Sequence, residues 1–316
     1  MSEKTIVVTG GTGFLGKSVT RNLNENHPQH RVVSISGSSF DLTKPKYVDG
    51  MLNCHSPDIV VHLAATCGGI AANREQPGKF MYDNLSMGMN LIERGRKYGK
   101  LEKFVMIGSA CSYPQHTSIP FRESDMWSGY PENNNAPYGI AKRAIIELLL
   151  TYNQQYGFNS NTLIPANIYG PEDHTSPEKS NVIPAIIRKV GHAINHNEDH
   201  IKLWGSGNAS REFLYVDDCA EFIVRSCFTD PDPRPVNIGT GKETKISDLA
   251  TMICDIMGFS GSVVFQPEMP EGQLRRCLDV SRSKEVFGIG AGTDIETGLR
   301  TTIEWFNNTQ GENNEN

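Results

Sequence analysis

The sequence holds no apolar run approaching the length of a membrane span, no paired cysteines and no cluster of Lys and Arg. A transmembrane helix needs about 20 consecutive apolar residues, so none is expected and the membrane is not a partner. The cysteines, Cys54, Cys67, Cys111, Cys219, Cys227, Cys254 and Cys277, are odd in number and scattered, with no CxxC pair. A disulfide framework and a zinc site are therefore unexpected, no metal is anticipated, and a reducing compartment is the default. With a net charge of −6 and no basic stripe, nucleic acid is not an expected partner. No signal peptide precedes the first strand-like segment, so the expected location is the cytoplasm. Repeats are also missing. What remains is an ordinary globular balance, 38% apolar and 21% charged over 316 residues, enough for one large domain or two fused lobes. A mildly acidic shell still admits an anionic small substrate, because a few Arg, Lys or helix N-termini hold a phosphate locally.

In the first half, strand-like apolar runs alternate with helix-like stretches. Thr5–Val8, Arg31–Ile35, Asp58–Leu63 and Phe104–Ile107 read as strands. Lys17–Glu25 and Phe80–Tyr98 read as helices, the second with Leu85, Met89, Leu91 and Ile92 near helical spacing. This alternation predicts βαβ units and a parallel sheet covered on both faces. From about Ser160 the pattern breaks up, punctuated by Pro165, Pro171, Pro177 and Pro184. Phe213–Val216, Val236–Ile238 and Val263–Phe265 read as short strands, and Ser247–Met257 as a helix capped by Ser247. The expected fold is α/β, a doubly wound parallel sheet with a smaller mixed α/β C-terminal lobe and segments exchanged between them.

The segment Ile6-Val7-Val8-Thr9-Gly10-Gly11-Thr12-Gly13-Phe14-Leu15-Gly16 is a β-branched run, a glycine turn and a helix start. Glycines let the backbone turn tightly and approach a pyrophosphate, and the helix start offers free N–H groups to it. In this context the turn reads as a dinucleotide site, with Gly10, Thr12, Gly13, Phe14, Leu15 and Gly16 as its residues. That makes residues 1–165 a Rossmann domain to which later segments return. Residues 166–308 are then mainly a substrate-binding lobe, and 309–316 a disordered tail. An NAD enzyme places an acid at the end of the second strand. Here Ser36-Gly37 stands there, which removes repulsion against a 2′-phosphate and favours NADP over NAD. Asp41 suits adenine binding and equally suits a turn.

Tyr138 and Lys142 are four residues apart, one helical turn, and so share a face. An ammonium near a phenol favours phenolate, which predicts a lowered tyrosine pKa. Upstream, Ser109 follows a strand, and its hydroxyl can bond the same substrate oxygen as Tyr138.

With these residues in order, the chain resembles the extended short-chain dehydrogenase/reductases. The resemblance rests on Thr9–Gly16, His62-Leu63-Ala64-Ala65, Ser109 and Tyr138-Gly139-Ile140-Ala141-Lys142. Gly68-Gly69-Ile70-Ala71-Ala72-Asn73, Ser109-Ala110-Cys111-Ser112-Tyr113-Pro114, Pro165-Ala166-Asn167-Ile168-Tyr169-Gly170-Pro171 and Trp204 through Phe213 are similar to the GDP-L-fucose synthase branch. The likeness extends to about Phe306. It implies an NADPH-dependent epimerase/reductase acting on a GDP-linked 4-keto-6-deoxy sugar, and a homodimer formed through Phe80–Tyr98 and Arg143–Gln155. It also implies roles. Tyr138 protonates the C4 oxygen, Lys142 holds the nicotinamide ribose, Ser109 orients the ketone, and Cys111 is the base beside it. Leu63, Ala64, Ala65, Pro165, Asn167 and Ile168 join the cofactor site. Asn167, Lys189, Trp204 and Arg211 face the substrate, with Lys189 where the family has Arg, and Arg275 and Arg276 are further candidates for its phosphate or ribose. Read alone, Trp204 fits an ordinary core and Arg275-Arg276 a solvated charge pair.

One departure matters. Asn181 precedes Val182-Ile183-Pro184 where the family has a histidine that reprotonates carbon. An amide has no titratable proton near neutral pH, and general-acid help is worth about 10²–10⁴ in rate. His174 and His116 are the candidate substitutes. The alternative reading is therefore a C4 reductase or single-centre epimerase, and a further one an NAD-dependent nucleotide-sugar 4-epimerase. Dehydration, which needs an Asp-Glu pair beside the serine, is disfavoured by Cys111-Ser112-Tyr113. A sensor or structural protein without turnover is disfavoured by the intact Ser109, Tyr138 and Lys142.

Overall fold

In a computed structural model, which describes residues 2–68, 70–173, 180–269 and 271–314, the first half runs β1 (Thr5–Thr9), α1 (Phe14–Asn26), β2 (Arg31–Ile35), α2 (Pro45–His55), β3 (Ile59–His62), α3 (Ile70–Glu75), α4 (Pro77–Tyr98), β4 (Lys103–Ile107), α5 (Ala136–Tyr156) and β5 (Ser160–Pro165). The second half continues with β6 (Asn167–Tyr169), α6 (Val182–His196), β7 (His200–Trp204), β8 (Ser210–Tyr215), α7 (Val216–Phe228), β9 (Asp232–Ile238), β10 (Glu243–Lys245), α8 (Ile246–Met257), β11 (Ser262–Gln266), β12 (Arg275–Arg276), α9 (Ser281–Phe287) and α10 (Ile295–Asn314).

One sheet of six strands has the order β2-β1-β3-β4-β5-β9, with every pairing parallel. The runs TIVVT, IVVH and KFVMI are apolar at nearly every position because both faces of the sheet are covered. Alternate residues divide between two cores, as a period of two requires. Val7, Val60, Phe104 and Met106 pack with Met51, Leu91, Ile92, Ile145 and Leu149 from α2, α4 and α5. Ile6, Val8, Ile59, Val61, Val105 and Ile107 pack with Val19 and Leu23 of α1 and with Phe222, Ile223 and Val224 of α7. This is the doubly wound Rossmann-type α/β arrangement that the alternation of strands and helices predicts.

A third core joins Ile183, Ile186 and Ile187 of α6, Leu249 and Ile253 of α8, and Leu299 and Ile303 of α10. Its strands form two small sheets. β8 pairs with β6, β10 and β12, and β7 pairs with β11. The chain returns to the large sheet through α7 and β9 before it completes this lobe.

Some boundaries differ from the sequence pattern. α8 starts at Ile246 with Lys245 as its N-cap, so Ser247 lies in the first turn and does not cap it. The cause is the strand before it: Lys245 pairs with Ser210, and the Ile246 N–H donates to the Ala209 carbonyl. α1 begins at Phe14, inside the glycine turn and before Lys17. Helical backbone continues to Asn314, within the segment expected as a frayed tail. No helix among the described residues is long and apolar enough to cross a membrane.

Glu212 sits inside β8, 1% exposed, and its carboxylate fastens the two halves of the lobe together. It accepts from the Gly241 N–H and the Leu278 N–H, both at 2.7 Å. An orphaned buried N–H costs about 1–3 kcal/mol. We expect Glu212→Ala to lose roughly 3 kcal/mol in urea denaturation, and Glu212→Gln, which keeps an acceptor, to lose less. An unchanged midpoint for the alanine variant would remove this role.

Candidate active site

The sheet changes direction at β1 and β3, and there the glycine turn opens. In open α/β sheets ligands bind in that crevice, at the carboxyl ends of the strands. Gly10 has φ +70°, and a Cβ on it would lie 2.8 Å from the Ala64 nitrogen. A Cβ on Gly16 would meet the Gly10 carbonyl at 2.1 Å. α1 has Gly13 as N-cap, no side-chain cap and no acid in its first turn. Its leading N–H groups are thus available to an anion, which fits the pyrophosphate of a dinucleotide. A cleft of about 280 Å³ beside this turn is lined by Gly10, Ser36, Gly37, Asp41, Ala64 and Lys79 among others.

Where an acid is usual, the Ser36 hydroxyl bonds those of Ser38 at 2.7 Å and Ser39 at 3.1 Å. Asp41 lines the cleft, but its carboxylate is engaged as a turn residue. It accepts from the Thr43 N–H at 3.1 Å and hydroxyl at 2.6 Å, which lowers its pKa. Leu63, Ala64 and Ala65 follow β3, where the Leu63 N–H bonds the Thr9 carbonyl at 3.1 Å. His62 bonds the Thr9 hydroxyl at 2.8 Å, and burial holds its pKa down at about 3, so it is neutral. Pro165 ends β5, and Asn167 and Ile168 start β6, where the Asn167 amide donates to the Glu212 carbonyl at 3.1 Å.

Ser109 leaves the end of β4 and caps a 3-10 turn, Ala110–Ser112, its Oγ accepting from the Cys111 N–H at 3.1 Å. The Tyr138 hydroxyl on α5 bonds the same serine. Lys142 is 3% exposed, its Nζ 5.8 Å from the centre of the Tyr138 ring. Serine, phenol and ammonium therefore converge. The expected lowering of the tyrosine is corrected, however. Burial raises its pKa, and the neighbouring thiols Cys67 and Cys111 add to the effect. Burial outweighs the nearby ammonium, whose Nζ donates to the Ile107 carbonyl at 2.9 Å. Lys142 itself is brought down to about 8 by burial. A phenol kept protonated is in the state needed to donate to an oxygen gaining charge.

Cys111 is half-buried in the same cluster, and the Arg276 Nη1 donates to its sulfur at 3.6 Å. Arg276 pairs in register with Arg211 across β12 and β8. Arg211 donates to the Ser210 carbonyl at 2.7 Å and the Glu271 carbonyl at 3.3 Å, and burial lowers its pKa to about 10. Glu271 reaches on to the Ser206 N–H at 3.0 Å, two residues past Trp204. Trp204 is 53% exposed at the end of β7, not a core aromatic. Arg275 pairs with Glu243.

Lys189 on α6 donates to the Lys202 carbonyl at 2.6 Å. Asn181 is the exposed N-cap of α6, with no side-chain cap bond. His116 is exposed, and His174 lies outside the described residues.

Sequence reasoning missed Gln273, which donates to the Gln115 carbonyl at 2.7 Å and accepts from Arg276 at 3.1 and 3.3 Å. It also missed Glu132, 8% exposed, which holds Asn134 and Asn135 at the start of α5. Gln273 reaches a backbone carbonyl 158 residues away, and nothing in the polar run Glu132-Asn133-Asn134-Asn135 marks its carboxylate as buried.

Residues 6–239 match the NAD dependent epimerase/dehydratase family. The GDP-L-fucose synthase of Sinorhizobium fredii is 36% identical over 306 residues, 97% of this chain and 96% of that protein. The GDP-L-fucose synthase of Escherichia coli is 34% identical over 315 residues, 97% of each chain. A GDP-mannoheptose C4 reductase of Campylobacter jejuni, solved with NADP bound, superposes with a TM-score of 0.86 at 27% identity, covering 97% of this chain and 99% of that one.

The buried ammonium gives a pH test. Lys142 titrates at about 8 in the fold against 10.5 ordinarily, so between those values the unfolded chain binds more protons. Wild-type stability then rises with pH across this window, and below it the cost of burying the ammonium is constant. Measured by urea denaturation, the stability of Lys142→Met relative to wild type should fall as pH rises from about 8 to 10.5. A difference that stays flat across the window contradicts the burial of the charge.

Proposed function

The chain belongs to the NAD dependent epimerase/dehydratase family, and on that premise we propose that it reduces the C4 ketone of a GDP-linked 4-keto-6-deoxy sugar after epimerisation beside it, with NADPH, in the manner of the GDP-L-fucose synthases. The observation that carries this reading is the meeting of Ser109, Tyr138, Lys142 and Cys111 at one place. The likeness to GDP-L-fucose synthases over nearly the whole chain supports the sugar. The lack of an acid at Ser36 and the three serine hydroxyls there support NADP.

The glycine turn Gly10–Gly16 and the start of α1 hold the pyrophosphate, with Leu63, Ala64 and Ala65 beside it. Pro165, Asn167 and Ile168 complete the cofactor site, and Lys142 binds the nicotinamide ribose. Bound NADPH supplies the hydride. Ser109 orients the ketone by its hydroxyl. Cys111, as thiolate, takes the proton from the carbon beside the ketone, and the C–H electron pair moves toward the carbonyl oxygen. Tyr138 passes its phenolic proton to the C4 oxygen during reduction. Trp204, Arg211 and Lys189 serve the nucleotide end. A homodimer through α4 and α5 belongs to the same reading, supported by the exposed Met81, Tyr82 and Met89 on α4 and Tyr156 on α5.

A second reading, a C4 reductase with partial or no epimerisation, is favoured by Asn181. Its amide has no proton to give to carbon, and the Campylobacter C4 reductase shares the fold closely.

Product stereochemistry separates the two. NMR after incubation with GDP-4-keto-6-deoxy-mannose and NADPH should show inversion at C3 and C5. Retained configuration with NADPH consumed selects the second reading, and no NADPH consumption sinks both. Tyr138→Phe is expected to cut NADPH oxidation by about 10²-fold or more while cofactor binding, followed by fluorescence, persists. Unchanged turnover rejects Tyr138 as the proton donor. Cys111→Ala should stop exchange of solvent deuterium into C3 and C5, and full exchange dismisses that base.

A further inference from the structure

We propose that Arg276 is the positioning residue for Cys111, the counter-charge that receives its sulfur when the proton is gone, and that Gln273 locks it in place. The proposal rests on the reading of Cys111 as a base, and it reassigns Arg276 from the substrate to the sulfur.

The geometry is specific about which guanidinium nitrogen does what. Arg276 Nε and Nη2 both donate to the Gln273 Oε1, at 3.3 and 3.1 Å. That fixes the plane of the group and leaves Nη1 directed at the Cys111 sulfur, 3.6 Å away. The Gln273 amide in turn donates to the Gln115 carbonyl at 2.7 Å, four residues past Cys111. The same glutamine therefore grips both the arginine and the loop that carries the cysteine.

Arg276 has five N–H donors and no acceptor, so it can only donate to sulfur. A neutral thiol is a weak acceptor, whereas a charged pair makes a shorter and roughly twice as strong bond. The contact therefore strengthens when Cys111 loses its proton, and a base must start in that form. Among the described residues no second cation donates to this sulfur. Arg211, next in register, is committed to the Ser210 and Glu271 carbonyls. Lys142 is turned to the Ile107 carbonyl. The other groups facing Cys111 are the phenol of Tyr138 on α5 and the guanidinium of Arg211 on β8, whose own charge is balanced toward Glu271 and Glu132.

The test uses the full chain without sugar or cofactor, so its result does not depend on the reading of the substrate. Iodoacetamide alkylates thiolates. The rate at Cys111 is followed by peptide mass spectrometry at about pH 7.5, with Cys54, exposed on α2, as internal reference. Arg276→Gln should slow Cys111 by about tenfold relative to Cys54, and Arg276→Lys should restore part of that rate. Gln273→Ala, which frees the guanidinium, should slow Cys111 in the same direction, and it carries the test alone if the Arg276 variants do not fold. A Cys111 rate equal to or faster than wild type in Arg276→Gln, or in Gln273→Ala where that variant stands alone, overturns the proposal. So does a lysine variant no faster than the glutamine one.

Discussion

α5 lies so close to the Ser109–Cys111 turn that no side chain fits between them. A Cβ on Gly139 would stand 2.1 Å from the Cys111 carbonyl oxygen, and something would have to move. Everything in the site follows from that approach. Tyr138 and Lys142, on either side of the glycine's turn of helix, are delivered to Ser109 and the end of β4. The contact is also fastened. The Ser112 hydroxyl donates to the Gly139 carbonyl at 3.2 Å, and Arg143, one residue past Lys142, donates to the Ser112 carbonyl at 3.0 Å and the Gly129 carbonyl at 2.9 Å. The spacing of phenol to serine is thus set by backbone and not by the rotamers of the reacting groups, which is how a site holds tight geometry.

The smaller lobe reaches the same place by a different route. Phe121 exchanges backbone bonds with Cys277 and Asp279, at 2.8 and 2.9 Å, so the loop that follows Cys111 lies beside the strand that carries Arg276. Tyr113 and Asn237 pin that loop to β9 by a buried bond of 2.7 Å. Glu212 ties β8 to the Leu278 backbone. Arg211, Arg276 and the Cys111 thiol are therefore parts of one frame, although more than 160 residues separate Cys111 from Arg276 in the chain.

What the sequence reveals follows from distance along the chain. The glycine turn and the Tyr138–Lys142 pair are written in spacings of a few residues, and short spacings survive into structure as shared faces and tight turns. The parallel sheet is legible because strands buried on both faces are apolar throughout. Arg276 and Gln273 carry no such mark, since their roles depend on the register of β12 against β8. Ser247 misleads for a related reason: a good capping residue is overruled by a strand pairing that starts the helix earlier. The tyrosine shows a third kind of limit. A sequence places an ammonium near a phenol, but only coordinates reveal that burial outweighs it and that Nζ is bonded elsewhere.

Asn181 bears on how the two halves of the chemistry can separate. In the proposed reading hydride delivery needs the Ser109, Tyr138 and Lys142 cluster, which is built at the end of β4 and on α5. Inversion at carbon needs, in addition, a proton donor on the face opposite the base. Asn181, where the family resemblance expects that donor, stands at the start of α6, in the other lobe. Cys111, the base of the proposed reading, shares its turn with Ser109. On the proposed reading, one substitution at the α6 N-terminus removes inversion and leaves the Ser109, Tyr138 and Lys142 cluster whole. Cys111 beside Arg276, with an amide at Asn181, is the arrangement that the second proposed reading, reduction with partial or no epimerisation, requires.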